Sequence, residues 1–546
     1  MGVASPRSAR HLVTTSLATT SEESNEMTHE RRSPRHVAAR RFGLPLLAVV
    51  LAFAALTSHA DAQAAVRGGA LRIGWIPGAK TLDPHFSVEF SERHVYYLVF
   101  NTLVALDRGF NVVPELARSW QVSPDGKRVT FQLQRGVKFH DGTDFNADSV
   151  KWNIERILDP QTKSPQRAQL EPAIASVAVV DPYTVAVELK KPFAPLLAAL
   201  AERPGFMVSP GAAQKLGQDF GQRPVGTGPF RVVEWLRDSQ VTLERFPDYW
   251  ERGKPYLDRV IYRVVPDPTV RLTMVRTGEV DIATDVDAKD IPSLRNETSL
   301  RVSEMKPAAR WTALQWHVDE PPFNNKALRQ AIALAIDRNE LRDVLLRGFG
   351  EPARGPVSPG LWWSDPSFQG IGHDLEMAKK KLVEAGYPNG FRARFVVENT
   401  PQWIRQAELL QAQLQKINVG MDIEPVNPAD AYSRVLQKKT NWTHASWTQR
   451  ADPNGLLYIL FHSKGLANTT GYSNPKVDEL LEQAAGTYEV DRRRALYHSA
   501  ERLITDDVPY VFLNYTAEFA VMSRKVQNWG WIPDLIPRYR DLWLEK

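Results

Sequence analysis

A chain of 546 residues, at roughly 150 per domain, predicts about three to four domain-sized units. Hydrophobic residues at 43% and charged residues at 24% are the composition of a globular chain and exclude a disordered or collagen-like one. Lys and Arg number 68 against 63 Asp and Glu; seven of the basic and five of the acidic residues precede residue 63, which leaves the body at +3. That balance argues against a nucleic-acid surface, which needs a clustered basic stripe. The absence of cysteine excludes disulfides, thiolate zinc sites, iron–sulfur clusters, cysteine nucleophiles and a lipid-modified N-terminal cysteine.

In chain order, the first element is an apolar run, Phe42–Leu56, preceded by Arg40 and Arg41 and followed by the small-residue site around Ala60-Asp61-Ala62. It is short for a membrane span, and its order of basic, apolar and small segments is that of a secretory signal peptide. Residues 1–62 are therefore expected to be an N-terminal extension and leader, with Met27 a better start than Met1 and cleavage near residue 62. The mature chain is expected to be exported and soluble.

The body alternates strands and helices without a repeat period. Leu71 to Ile76 alternates like a strand, as do Val129, Phe131 and Leu133 after the turn residues Pro124-Asp125-Gly126. Val150, Ile154 and Ile157 share a helical face, with Asn146 as the predicted N-cap. Val185, Val187 and Leu189, then Val241 and Leu243, repeat the strand pattern. Leu328, Ile332, Ala335 and Ile336 form a second helical face, and Ala378, Leu382 and Ala385 a third, closed by Gly386 and Pro388. The fold class is mixed α/β with at least two lobes.

Motifs for catalysis are scarce. A phosphate-cradling loop, H-E-x-x-H and G-x-S-x-G are all absent. S-x-x-K occurs at Ser303–Lys306 and Ser473–Lys476, without the companion elements of a serine acyl-transferase. His140 and His444 lack a second ligand at helical spacing, and no cofactor or metal is expected. Aromatic residues say more: seven of the fifteen tryptophans lie between 311 and 447. Such rings suit a ligand cavity, although each also suits a core. The segment Trp447-Thr448-Gln449-Arg450-Ala451-Asp452 sets an aromatic, an amide, a guanidinium and a carboxylate at the exit of a predicted strand, where residues of that kind are more often functional than packed.

From about residue 69 to the end the chain resembles the extracytoplasmic solute-binding proteins of ABC importers, family 5, the dipeptide/oligopeptide type. The resemblance is carried by Thr81-Leu82-Asp83-Pro84, Pro114-Glu115-Leu116-Ala117, Gly136-Val137-Lys138-Phe139-His140-Asp141-Gly142, Val225-Gly226-Thr227-Gly228-Pro229-Phe230, Glu384-Ala385-Gly386-Tyr387-Pro388 and Tyr472-Ser473-Asn474-Pro475. It implies two α/β lobes joined by a twice-crossed hinge. Lobe I would comprise 66–312 with an extra subdomain, lobe II 313–509, and 510–546 would return to lobe I. It also implies a monomeric periplasmic protein, with no nucleic-acid partner, that captures a peptide or peptide-like solute between the lobes and presents it to a membrane permease and its ATPase.

The resemblance places ligand contacts at Val88, Glu89 and Phe90 and at Trp447, Gln449, Arg450 and Asp452, with Trp403 and Trp316 as further cleft residues. One position departs from the family: Arg450 stands where peptide-binding members carry an aspartate for the peptide's ammonium. Either Asp452 takes the amine, or the ligand presents an anion to Arg450, or Arg450 faces solvent. An opine, an oligosaccharide or a metal chelate as ligand stays open, as does a signalling role instead of import. A secreted hydrolase is the remote alternative, since no serine has a recognisable base partner.

Overall fold

The computed structural model describes residues 65–546 apart from 76–78, 307 and 441. The expected leader run and cleavage site lie outside the described residues. Among those described, no helix is long and apolar enough to cross a membrane.

Ala70–Trp75 forms the strand predicted from its alternation, with Leu71, Ile73 and Trp75 at 2% exposure or less. It pairs in parallel with Arg259–Val264 on one side and Ile282–Thr284 on the other. This pairing places it fourth in a mixed seven-stranded sheet whose order is Leu300–Glu304, Phe519–Ser523, Ile282–Thr284, Ala70–Trp75, Arg259–Val264, Gln240–Arg245, Phe230–Leu236. Gly226 and Gly228, just before the last of these strands, pack against the backbone of residues 98–100, and a Cβ at either would lie within 2.4 Å of a carbonyl oxygen there. The glycines of that motif are thus required by close approach.

A second sheet of six strands runs Glu351–Pro352, Tyr510–Tyr515, Arg310–Trp316, Trp442–Thr448, Phe391–Glu398, Val419–Val426. The helix Lys326–Ala335 covers it with Leu328, Ile332 and Ala335, all fully buried. That helix stops one residue earlier than its apolar face predicts: Ile336 is extended, because Asp337 caps the next helix, Arg338–Leu345. Leu375–Glu384 ends as predicted, with Gly386 at φ +88.

Between the first two strands of the chain's larger sheet that flank it, 75 and 230, lies an insertion with its own four-stranded antiparallel sheet, Ala117–Val122, Arg128–Leu133, Thr184–Leu189, Ile174–Asp181. Val129 faces Val187 and Phe131 faces Val185 across it, all buried. The helix Ala147–Leu158 lies on this sheet, and Asn146 caps it by a reciprocal pair of hydrogen bonds with Ser149.

The chain passes from the first sheet to the second at 305–309 and returns at 516–518. The strands Arg310–Trp316 and Tyr510–Tyr515 both belong to the second sheet, so the crossings fall a few residues from the boundaries expected at 312 and 509. Alternation reports that a segment is a strand, not which sheet it joins. The two crossings are tied together: Met305 donates its N–H to the Glu518 carbonyl (2.9 Å), Thr516 donates to the Arg310 carbonyl (3.0 Å), and Arg310 and Glu518 pair at 3.4 Å. The insertion also touches the second part of the chain. Ala194 N–H donates to the Ala485 carbonyl at 2.8 Å, and the Phe110 and Trp363 rings lie 6.3 Å apart.

Candidate ligand cleft

The strand Trp442–Thr448 leaves the second sheet at Gln449, whose N–H donates to the Ala309 carbonyl in the first crossing at 2.6 Å. The exit loop is thereby fixed to the crossing segment. The Gln449 side chain is fully buried and donates to the Pro356 carbonyl and Ser358 Oγ, while its Oε1 has no partner among the described residues. Half-buried Trp447 sits across from Trp311 in the register.

Arg450 follows. Its Nη1 donates to Thr448 Oγ1, and among the described residues no carboxylate pairs with it. Burial lowers the proton affinity of this guanidinium; Glu202 offsets that, Arg93 adds to it, and Asp534 offsets it further. These three come from the first part of the chain and from its C-terminal return, so Arg450 lies within electrostatic reach of charges from both.

Asp452 is placed differently from the expectation that it could receive a ligand's amine. Both its oxygens accept from Arg493, at 2.6 and 2.7 Å, and it also caps Asn454 N–H. The pair is buried, and the helix Val490–Asp507 that carries Arg493 supplies the partner that no local pattern announces. Trp316 is likewise a core residue: it is 2% exposed, stacks on Phe323 at 5.0 Å and donates Nε1–H to the Val508 carbonyl. Trp403 is half-buried and packs on His444 at 4.3 Å, beside Glu398.

On the other side stands the turn 87–90. Ser87 donates its hydroxyl to Glu92 at 2.5 Å and accepts from Arg203 Nε at 3.1 Å, and Arg203 Nη2 donates to the Glu89 carbonyl at 2.8 Å. Val88 is 65% exposed, Glu89 pairs with Lys80, and Phe90 lies edge-on to His94 at 5.6 Å. Upstream, the Leu82-Asp83-Pro84 motif is anchored by Arg156, which donates to both Asp83 oxygens and lies at 3.0 Å from His85 Nδ1. The turn is therefore positioned by arginines that sequence reading did not single out.

The cluster itself holds four guanidinium groups and two carboxylates. Arg93 pairs with Asp534 at 3.2 Å and with Glu202 at 3.7 Å; Arg538 pairs with Asp534 at 2.7 Å and lies 3.5 Å from the Tyr97 ring centroid. Among the described residues no carboxylate forms an ion pair with Arg203, and burial, aided by Arg93 and Arg450 and opposed by Glu202, pushes its proton affinity down to about 10. His94, buried with neither ring nitrogen hydrogen-bonded among the described residues, is held neutral, down to about 3, by burial and by Arg93 and Arg538. Below it, against the two crossings, Phe90, His94, Arg310, Glu518, Trp531 and Leu535 line a cavity of about 20 Å³, the space of one water. Arg93, Glu202, Arg203, Asp534 and Arg538 carried no usable signal in the sequence: each lies in an ordinary polar context.

His140 and Ser303 each have a structural partner in this fold. His140 Nε2 lies 2.9 Å from the Gly228 carbonyl, with the ring held neutral by burial, and Ser303 accepts from Trp529 within a strand. Among the described residues, no group of three or more His, Cys, Asp or Glu could hold a metal ion.

The family described as bacterial extracellular solute-binding proteins, family 5 (middle), matches residues 111–468. The glutathione-binding protein GsiB of Escherichia coli (strain K12) is 31% identical over 513 residues, 91% of this chain and 97% of that protein. Among solved structures, the ABC transporter-associated periplasmic binding protein DppA from Helicobacter pylori, in complex with the peptide STSA, matches with a TM-score of 0.77 at 28% identity, over 88% of this chain and 99% of that one. AgaA from A. tumefaciens R10, in complex with agropinic acid, matches with a TM-score of 0.75 at 27% identity, over 88% and 99%.

Proposed function

The chain belongs to the family 5 bacterial extracellular solute-binding proteins, whose two-lobed fold its two large sheets build, and from that premise we propose that it captures a short peptide or peptide-like solute in the periplasm and hands it to the permease and ATPase of an ABC importer. In this reading lobe I is residues 66 to about 305 with the return from 519, and lobe II is 310–515. It is read as an exported monomer with no catalytic role.

The observation that carries the reading is the charged cleft itself. Arg93, Glu202 and Arg203 come from lobe I and Asp534 and Arg538 from the C-terminal return; Arg93 pairs with both carboxylates and Arg538 with Asp534, and Arg450, on the loop that follows the second-sheet strand, lies within their electrostatic reach. Polar groups drawn from several segments and converging on one half-buried place fix a ligand's orientation, while closure removes it from water. The net excess of guanidinium groups favours a solute with carboxylates, and the glutathione- and peptide-binding relatives take ligands of that chemistry.

The test is thermal unfolding of the purified protein with free peptides, glutathione, opines, oligosaccharides and chelated metals. A ligand at 100 times its Kd adds about 2.7 kcal/mol and raises the midpoint clearly. A rise with peptides or glutathione supports the reading. A rise confined to oligosaccharides or chelated metals overturns it. The guanidinium excess also favours a second reading, an anionic opine of the kind AgaA holds; a rise with opines and not with peptides selects it.

A further inference from the structure

We infer that the small pocket against the two crossings receives the ammonium group of the solute, with the Asp285 carboxylate as its counter-charge and His94 and Glu518 as further acceptors. This rests on the capture role proposed above and adds which chemical group of the solute enters there and which residues select it.

Separate segments build the pocket. Phe90 belongs to the 87–90 turn and His94 to the helix Glu92–Val99 that follows it; Asp285 follows the strand Ile282–Thr284, Arg310 and Glu518 belong to the crossings, and Trp531 to the C-terminal return. The space they line is about 20 Å³. An ammonium head has about the bulk of the one water that such a volume holds.

Two carboxylates line the pocket against one guanidinium. Arg310 and Glu518 pair at 3.4 Å, and Thr516 donates to the same oxygen, Oε1, so Glu518 Oε2 has no hydrogen bond among the described residues. Asp285 forms neither a hydrogen bond nor an ion pair among the described residues. Arg271, whose proton affinity burial lowers and Asp285 and Asp267 hold up, donates Nη1 to the Val265 and Pro266 carbonyls and not to Asp285. His94 is 3% exposed, and neither of its ring nitrogens has a partner among the described residues. A neutral imidazole carries one bare nitrogen, so a donor entering the pocket meets three acceptors: Asp285, Glu518 Oε2 and that nitrogen. An ammonium brings three N–H groups and one positive charge.

Other occupants fit less well. A carboxylate would be repelled by Asp285 and Glu518, and an apolar group would leave the buried imidazole unsatisfied. Water is the competing occupant, since it could also accept from the unpaired Nε1–H of Trp531, but it leaves the Asp285 charge unbalanced. The loop after Trp447 offers no rival carboxylate, because Arg493 takes both oxygens of Asp452. A peptide is a zwitterion: the guanidinium-rich cluster suits its carboxylates, and this pocket suits its ammonium end.

The experiment is calorimetric titration of the purified protein with trialanine and glutathione, each against the analogue that lacks only the amine, propionyl-dialanine and glutaryl-cysteinylglycine. Parent protein is compared with Asp285→Asn and Asp285→Gly, and with Asp287→Asn, which removes an exposed charge outside the pocket. Asp285 is exposed and sits at φ +55, a conformation that Asn and Gly also adopt, so the charge is removed without moving the backbone, and either variant carries the test if the other unfolds. The expected result is that the free amines bind at least about tenfold more tightly than the analogues, and that D285N and D285G weaken them about tenfold and shrink that preference, while D287N changes neither.

Equal binding of amine and analogue by the parent overturns the subsite, leaves the pocket to water and leaves peptide capture standing. A preference for the amine that both Asp285 variants keep in full puts the ammonium elsewhere and overturns the assignment to this pocket. If no peptide binds, with or without its amine, the capture reading falls and the subsite falls with it.

Discussion

Asp452 and Arg493 form a buried, two-fold hydrogen-bonded ion pair that fixes the loop after Trp447 to the helix Val490–Asp507. Tyr497 Oη accepts a further bond from Arg493 at 3.1 Å, and the Ala484 carbonyl takes Nε–H at 3.0 Å. The loop that bears Arg450 is thus held to that helix.

Removing the carboxylate leaves a buried guanidinium without its counter-charge. Asp452→Ala is expected to cost about 3–5 kcal/mol of stability, read from the urea midpoint. A variant of unchanged stability that has lost its ligand would instead make Asp452 a ligand residue.

Glu501 lines a second cavity of about 80 Å³ in lobe II, with Arg354, Asp365 and Tyr515. Burial pushes its carboxyl up to about 8; the Val357 N–H and Arg502 oppose the shift and Asp365 adds to it, while His498 stands beside Asp365. The folded state therefore holds this proton more tightly than the unfolded chain, whose value is near 4.5. The stability it contributes is whole below pH 4.5 and is lost as pH rises through 8, with a slope of at most about 1.4 kcal/mol per pH unit. Glu501→Gln, which stays neutral, should gain stability over the parent at pH 9 relative to pH 4. The same difference at both pH values would contradict this.

Gly228 has no room for a methyl group. The Cβ of Gly228→Ala would meet the Leu98 carbonyl oxygen at 2.4 Å and the Val99 carbonyl carbon at 2.5 Å. Backbone cannot yield as a flexible side chain does, so a loss of about 1–3 kcal/mol is expected in denaturant unfolding. An unchanged midpoint would mean that residues 98–100 move aside freely.

The tryptophans should separate optically. Trp447 is half-buried beside Arg450, whereas Trp316 is packed in the core of lobe II. Ligand binding is expected to change intrinsic fluorescence in the parent and in Trp316→Phe, and to change it less in Trp447→Phe. A full response in Trp447→Phe would remove that residue from the cleft.

Much of this was legible in the amino-acid order. The cap at Asn146, the alternation at Val129–Leu133 and Leu71–Trp75, and the stop at Gly386 are all decided within a few residues. Helical and pleated periodicity arise from hydrogen bonding and side-chain direction at short range, and a linear sequence displays both. The turn motifs that carry the family resemblance are local in the same sense, and Arg450 could be singled out because it breaks one of them.

What the tertiary structure alone decided is which distant groups meet. Asp452 looked free until Arg493 was brought to it, Trp316 looked like cleft lining until Phe323 stacked on it, and Arg203 had no visible role until it held Ser87 and the Glu89 carbonyl. The crossings at 305–309 and 516–518 were similarly hidden, because a strand reads the same in either sheet. Charge pairing and sheet membership depend on how long loops close, and neither leaves a period in the chain.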